Sequence, residues 1–245
     1  MLKLGKRDPE FSDSDLRYQA MMKIPPSGIP FPTQWDSDAT LPGLDNPMFL
    51  NDELGNCVIA GRAHQTRRFE YVEQGKIITI TDDEVKQEYF SETGGEDSGL
   101  VVSRSLKRWR RRGWIAGGKN YKIQGYARLK EGRLYDIHSA IYADLGIGIG
   151  FMVPSSAMEQ FDAGEPWDIV NPYGSVDGGH YVYVPAYTET SLVCVTWGKK
   201  QPMTNRFYNW YCDEAWAIFD AVNTERRKQL LDMSVLSDFI SSLKP

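Results

Sequence analysis

Asn51-Asp52-Glu53-Leu54-Gly55-Asn56-Cys57-Val58-Ile59-Ala60 changes character at its seventh residue. Asn, Asp, Gly and Asn make the first half a loop of turn formers. From Ala60, the residues Ala63, His64, Arg67 and Tyr71 follow at helical spacing. Asn56 is a natural N-cap, which puts Cys57 in the first helical turn. Unpaired backbone N–H groups and the positive end of the helix dipole favour a thiolate there over a thiol. The competing reading of Cys57 is a buried small hydrophobe at a helix start.

Outward from this segment, the next informative stretch lies roughly 120 residues downstream: Val176-Asp177-Gly178-Gly179-His180-Tyr181-Val182-Tyr183-Val184. A histidine follows a glycine turn and heads an alternating strand; a hairpin then leads to Val195-Thr196-Trp197-Gly198. Cysteine before a helix, histidine on a strand, then Trp-Gly after a hairpin: this order resembles the papain-like cysteine peptidases, as a distant member. The resemblance runs from about residue 32 to 222 and implies an α+β, two-lobed fold. A helical lobe of about 40–130, its central helix starting at the active cysteine, packs against an antiparallel barrel-like β lobe of about 131–222.

The resemblance also implies roles. Cys57 is the nucleophile and His180 its acid–base partner. The family's oxyanion amide falls six residues before the cysteine, on Asn51, one methylene shorter than the family's Gln. The third position, an Asn that orients the histidine, is Val195 here, which accepts no hydrogen bond. Thr196, Asn171 or a backbone carbonyl are the candidate substitutes. Trp197 is expected to shield the pair, and Gly179 and the Gly94-Gly95 pair to let a substrate main chain approach, although a Gly-Gly pair is also a plain turn.

Composition excludes several classes. Of 245 residues, 41% are hydrophobic and 25% charged, which suits a soluble globular chain. The net charge of -5 gives no global attraction to nucleic acid or anionic membrane. No apolar run approaches a membrane span, and the first thirty residues carry no signal-peptide core. Three cysteines, Cys57, Cys194 and Cys212, form neither a disulfide framework nor a metal knuckle, which points to a reducing cytoplasm or a phage particle. No cofactor and no metal site is expected.

Residues 1–31 read as an N-terminal arm, with a short helix at Ser14 to Met22, serving as a packing strap or attachment segment rather than an autoinhibitor. Helices are expected at Cys57 to Gln74, from a Thr81 cap onward, at Leu100 to Arg112 and at Asp136 to Leu145. Gly146-Ile147-Gly148-Ile149-Gly150 opens a strand too short of a following helix to bind a dinucleotide, its glycines implying close packing. Further strands are expected at Trp167 to Val170, Tyr181 to Tyr187, Leu192 to Val195 and Arg206 to Tyr211, and a helix at Asp213 to Val222. Residues 223–245 read as a C-terminal amphipathic helix that docks on its own domain or on a protein partner. The basic run Arg108 to Arg112 reads as a solvated face; aromatic interleaving is too sparse for nucleic acid. His64 and His138 read as structural.

Two functions follow. One is a papain-like cysteine peptidase or related thiol hydrolase acting on amide bonds of a peptide or protein substrate. The other is a weak or inactive papain-like module with a structural role, for example in a phage particle. A Cys57–His180 contact across an open cleft favours the first; an arm lying through the cleft favours the second.

Overall fold

The computed structural model describes residues 2–23, 31–144, 146–171, 174–221 and 224–243. The expected helix ends at Leu145 and Val222, and the proline-rich part of the arm over residues 25–30, lie outside them. The arm contains one helical turn, α1 (Tyr18–Met21), shorter than the expected Ser14 to Met22, and is followed by a two-residue strand β1 (Trp35–Asp36).

The first core is built around α2 (Cys57–Gln74), which ends where Gly75 takes the left-handed conformation, φ 68. Every residue from Cys57 to Phe69 is buried, so the helix has no solvent stripe and its charges must be answered internally. Arg68 clamps Asp38 through Nε and Nη2, both at 2.7 Å, and Arg62 reaches Glu88 at 3.0 Å. Glu88 and Glu92 belong to α3 (Asp82–Thr93), which opens with a reciprocal Thr81–Glu84 capping box. Next, α4 (Val102–Arg112) turns Val102, Leu106 and Trp109 inward. Two of its basic residues find acids: Arg104 pairs with Glu10 of the arm, and Arg108 with Glu88 and Glu92. A hairpin of β2 (Trp114–Ala116) and β3 (Lys119–Tyr121) completes this half.

The second core is a seven-stranded antiparallel sheet. Its remaining strands are β4 (Gly125–Arg128), β5 (Ile147–Pro154), β6 (Val176–Tyr187), β7 (Ser191–Thr196), β8 (Lys199–Thr204) and β9 (Cys212–Phe219), with α5 (Leu134–Asp144) and α6 (Ser155–Ala163) between them. The order is β4-β9-β5-β6-β7-β8, with β1 added to β6. The Gly-Ile alternation of β5 has a spatial reason. A Cβ at Gly146 or Gly148 would overlap the rings of Tyr183 and Tyr181, and one at Gly150 would overlap the Lys6 side chain. Likewise Gly61 in mid-α2 lets the helix rest on Tyr181, where a Cβ would lie 2.8 Å from the ring. Gly there costs the helix about 1 kcal/mol relative to Ala, offset by that close packing.

Four expected elements are corrected. Arg206 to Tyr211 is not a strand but α7 (Asn205–Tyr211), started by the Thr204 hydroxyl, which accepts from the Phe207 amide at 3.0 Å. Asp213 to Val222 is not a helix: Cys212–Phe219 is β9, flanked by β4 and β5 and buried from Glu214 onward. A strand covered on both faces shows a continuous apolar run, not an alternation. Trp167 makes only an isolated bridge to Met203. The single helix expected over residues 223–245 is two, α8 (Glu225–Leu230) and α9 (Met233–Ser242). They break at Leu231, where the chain pairs with the arm: Lys23 N–H reaches Leu230 O at 2.9 Å and Asp232 N–H reaches Met21 O at 2.7 Å. Leu230, Leu231 and Leu236 are buried, so this tail docks on its own chain. Among the described residues no helix is long and apolar enough to cross a membrane.

Candidate active site

Cys57 is the first residue of α2, as its loop predicts, but Asn56 does not cap the helix with its side chain. The Asn56 amide donates instead to Phe49 O at 2.7 Å, and its Oδ1 accepts from Asn51 Nδ2 at 3.1 Å. Asn51 also donates to Leu54 O, 3.3 Å away, so its amide hydrogens brace the loop. The loop enters with Phe49 and Leu50 both at positive φ, 55 and 57. For bulky residues this conformation costs on the order of 1–3 kcal/mol each and persists only where the surroundings enforce it.

Opposite, β6 carries His180. Its Nε2 lies 2.7 Å from Thr196 Oγ1, and Trp197 stacks on the imidazole at 4.2 Å with a 15° tilt. Trp197 itself is held at φ 42, a left-handed conformation that folds the indole over the histidine. Phe151 meets the ring edge-on at 5.9 Å. Val195 is buried in β7 between Tyr183 and Lys200, and the oxygen that meets the imidazole belongs to the next residue, Thr196. Asn171 is exposed. Among the described residues His180 Nδ1 is buried with no hydrogen-bond partner.

The segments that carry Cys57 and His180 meet here: the backbone amide of Tyr181, the residue after His180, faces the Cys57 sulfur. What covers them is the arm. Leu100 N–H donates to Gly5 O at 2.8 Å and Arg7 N–H to Leu100 O at 2.9 Å, while Lys6 N–H donates to Gly179 O at 3.0 Å. Trp197 Nε1 donates to Lys3 O, 3.3 Å away. The arm, expected to be a packing strap or attachment segment rather than an autoinhibitor, is laid through the cleft. Three glycines admit it: a Cβ on Gly5 would sit 1.7 Å from Gly55 O, one on Gly99 2.3 Å from Gly5 O, and one on Gly179 2.3 Å from Lys6 O.

The electrostatics of this closed state are those of a neutral pair. Burial pushes the Cys57 thiol up to about 11, with the amides of Tyr181 and Gly5 opposing. Burial also pushes His180 down to about 3, as expected for an imidazole boxed between Trp197 and Phe151.

Other expected residues fall elsewhere. Gly94 and Gly95 form the left-handed end of α3, exposed, with open space where a Cβ would stand. Gly99, by contrast, is a glycine that meets a main chain, that of Gly5. Gly99 is fixed by residues the sequence did not flag. Its N–H donates to Tyr89 Oη at 2.9 Å, Tyr89 donates to Asp97 Oδ1 at 2.7 Å, and the same oxygen accepts from Gly55 N–H at 2.9 Å. One carboxylate thus ties together the two glycine walls of the cleft. His64 is buried against Phe49, and His138 stacks on Tyr187, 4.2 Å between centroids. Cys194 is buried in β7, and Cys212 lies half-buried at the start of β9. Among the described residues no group of His, Cys, Asp and Glu is arranged to hold a metal ion.

The chain matches no protein-family model, and no curated protein matches it. Solved structures do match. Xylellain, a cysteine protease from Xylella fastidiosa, superposes with a TM-score of 0.72 at 15% identity, covering 90% of this chain and 97% of that one. The proCathepsin B S9 of Trypanosoma congolense gives 0.61 at 12% identity, covering 90% and 87%. Digestive procathepsin L 3 of Tenebrio molitor gives 0.57 at 10%, covering 84% and 76%. The chain therefore has the papain-like cysteine protease fold.

Proposed function

We propose that the chain is a cysteine-type peptidase whose nucleophile is Cys57 and whose acid–base group is His180, acting on amide bonds of a peptide or protein substrate. The observation that carries this reading is the state of His180. Its Nε2 is committed to Thr196, its face to Trp197, and its Nδ1 is buried without a partner among the described residues. His64 Nδ1 and His138 Nε2 are likewise buried without partners, so what supports the acid–base role is the ordering of the ring, with Nε2 held by Thr196 and the face covered by Trp197, on the strand whose Tyr181 amide faces Cys57.

The chemistry follows from these positions. His180 Nδ1 takes the Cys57 thiol proton as the sulfur attacks the substrate carbonyl carbon. The oxyanion meets the Cys57 backbone N–H, which as a first-turn amide has no acceptor within the helix. Asn51 would add its amide only by giving up a bond to Leu54 or Asn56. Nδ1–H then protonates the leaving amine, and a water, deprotonated by the same nitrogen, hydrolyses the thioester. Thr196 accepts the Nε2–H throughout and so holds the tautomer.

An inert structural module is the second reading, favoured by the arm in the cleft and by Val195. Labelling with a thiol-directed epoxide separates the two. In the full chain with the arm displaced by Gly5→Leu, Cys57 is expected to be modified. Cys57→Ala abolishes labelling, and Cys194→Ala or Cys212→Ala leave it intact. Labelling that survives loss of Cys57, or is absent with the arm displaced, ends the peptidase reading.

A further inference from the structure

The arm crosses the cleft with one side chain fully inserted. Lys6 runs past β5 at Gly150, whose missing Cβ leaves the room: a Cβ there would lie 2.3 Å from Lys6 Cε and 2.7 Å from Cδ. The ammonium ends 2.8 Å from Asp213 Oδ2 and 3.4 Å from Glu214 Oε1, and the Lys6 side chain retains no solvent exposure. The floor is built rather than incidental. Trp216 Nε1 donates to Glu214 Oε2 at 2.8 Å and fixes the carboxylate, while Glu214 Oε1 is buried with no hydrogen-bond partner besides its ion pair. Burial pushes the Glu214 carboxyl up to about 7 even with Lys6 opposing, so the pocket is costly to keep charged when empty.

We propose that the pocket formed by Gly150, Asp213 and Glu214 is a specificity pocket for a basic side chain, lysine by length, of a peptide lying in this cleft, and that Lys6 fills it in the closed state. The proposal rests on the peptidase reading, because it names that site's substrate class, but the pocket's preference can be measured without turnover. Three features act together. Gly150 admits a long unbranched stem, the two carboxylates sit at the depth of an ammonium, and the Gly179 carbonyl and the Leu100 backbone fix the main chain from which that stem departs. Acidic side chains are rejected by charge. Aliphatic ones leave Glu214 buried beside no cation.

The test uses the full chain carrying Gly5→Leu to displace the arm and Cys57→Ala to prevent turnover. Fluorescein-labelled peptides with the sequence of residues 2–9 are titrated by anisotropy, with lysine or norleucine at the sixth-residue position. Lysine is expected to bind at least about tenfold tighter, as for truncation of one partner of a buried charge pair. Adding Glu214→Gln and Asp213→Asn should erase the difference. Equal affinities for the two peptides, or a preference that survives both carboxylate substitutions, overturn the proposal. Alongside, Gly5→Leu with Cys57 intact is given peptide substrates varied at that position. Cleavage without preference for a basic residue sinks the pocket and keeps the peptidase. No cleavage at all counts against the peptidase, with the pocket decided by the titration.

Discussion

Replacing Gly5 by leucine should unmask Cys57. The side chain has nowhere to go: its Cβ would stand 1.7 Å from the Gly55 carbonyl oxygen, a backbone atom of the loop that sets Cys57. With the arm docked the thiol titrates near 11, so at pH 8 about one molecule in a thousand is thiolate. A solvent-exposed cysteine near 8.5 is roughly one-quarter thiolate at that pH, a gain of about 200-fold. The lower-pKa thiolate is intrinsically the weaker nucleophile, which returns roughly tenfold of this. The net acceleration of alkylation is about 20-fold before the improved access is counted. The assay is the rate of iodoacetamide modification, read site by site by mass spectrometry, with Cys194 and Cys212 as internal references whose rates should not move. A Cys57 rate within threefold of the wild type, in a variant whose circular dichroism shows it folded, would refute the account of the arm as the cover.

Three further outcomes are expected. Thr196→Val in the Gly5→Leu background leaves His180 Nε2 buried without a partner, and epoxide labelling of Cys57 should slow by about 10- to 100-fold, while Thr196→Ser stays near the parent. Arg68→Met leaves the largely buried Asp38 carboxylate with only the partly exposed Lys200 and should cost up to about 3–5 kcal/mol by urea unfolding, with Asp38→Leu added to Arg68→Met recovering part of it. All three histidines are held neutral, His180 near 3, His138 near 4 and His64 well below its ordinary value. Each lowered base makes the folded state bind fewer protons than the unfolded one. The stability it protects is therefore present above pH 6.5 and lost as the pH falls toward the folded value. Glu214, raised to about 7, works in the opposite direction. In Glu214→Gln, stability should therefore fall by at least about 2 kcal/mol between pH 7 and pH 5 from His180 alone, and a flat profile would contradict its neutral burial.

Much of the site was legible because local chemistry and tertiary role coincide there. The turn formers before Cys57 and the glycine at 75 bound α2 at both ends, and the Thr81–Glu84 pair starts α3. His180, Thr196 and Trp197 sit on one hairpin, so their proximity is nearly a property of the chain itself. What was misread depends on distant neighbours. Arg206 to Tyr211 is rich in strand-forming aromatics, yet a threonine cap and the burial of Phe207 and Tyr208 make it helical. The Glu-Ala-Trp-Ala run of β9 has helical propensity but lies between two strands that supply its hydrogen bonds. The arm reads as a packing strap or attachment segment outside the core, with Lys3, Lys6 and Arg7 charged. The signals that it enters the cleft are glycines at 5, 99, 150 and 179, which become meaningful only when paired in space.

The pairing of Met21 to Lys23 with Leu230 to Asp232 has a consequence for how the cleft opens. Residues 2–8 can peel away while Leu16, Tyr18 and Met21 stay buried, so the displaced strand remains leashed within a few nanometres of its berth. Reclosure is then unimolecular, at a local concentration on the order of millimolar that dilution cannot lower. An incoming peptide competes with a rival that never diffuses off. Cutting the leash between the pocket residue and that anchor would turn a reversible latch into a permanent opening.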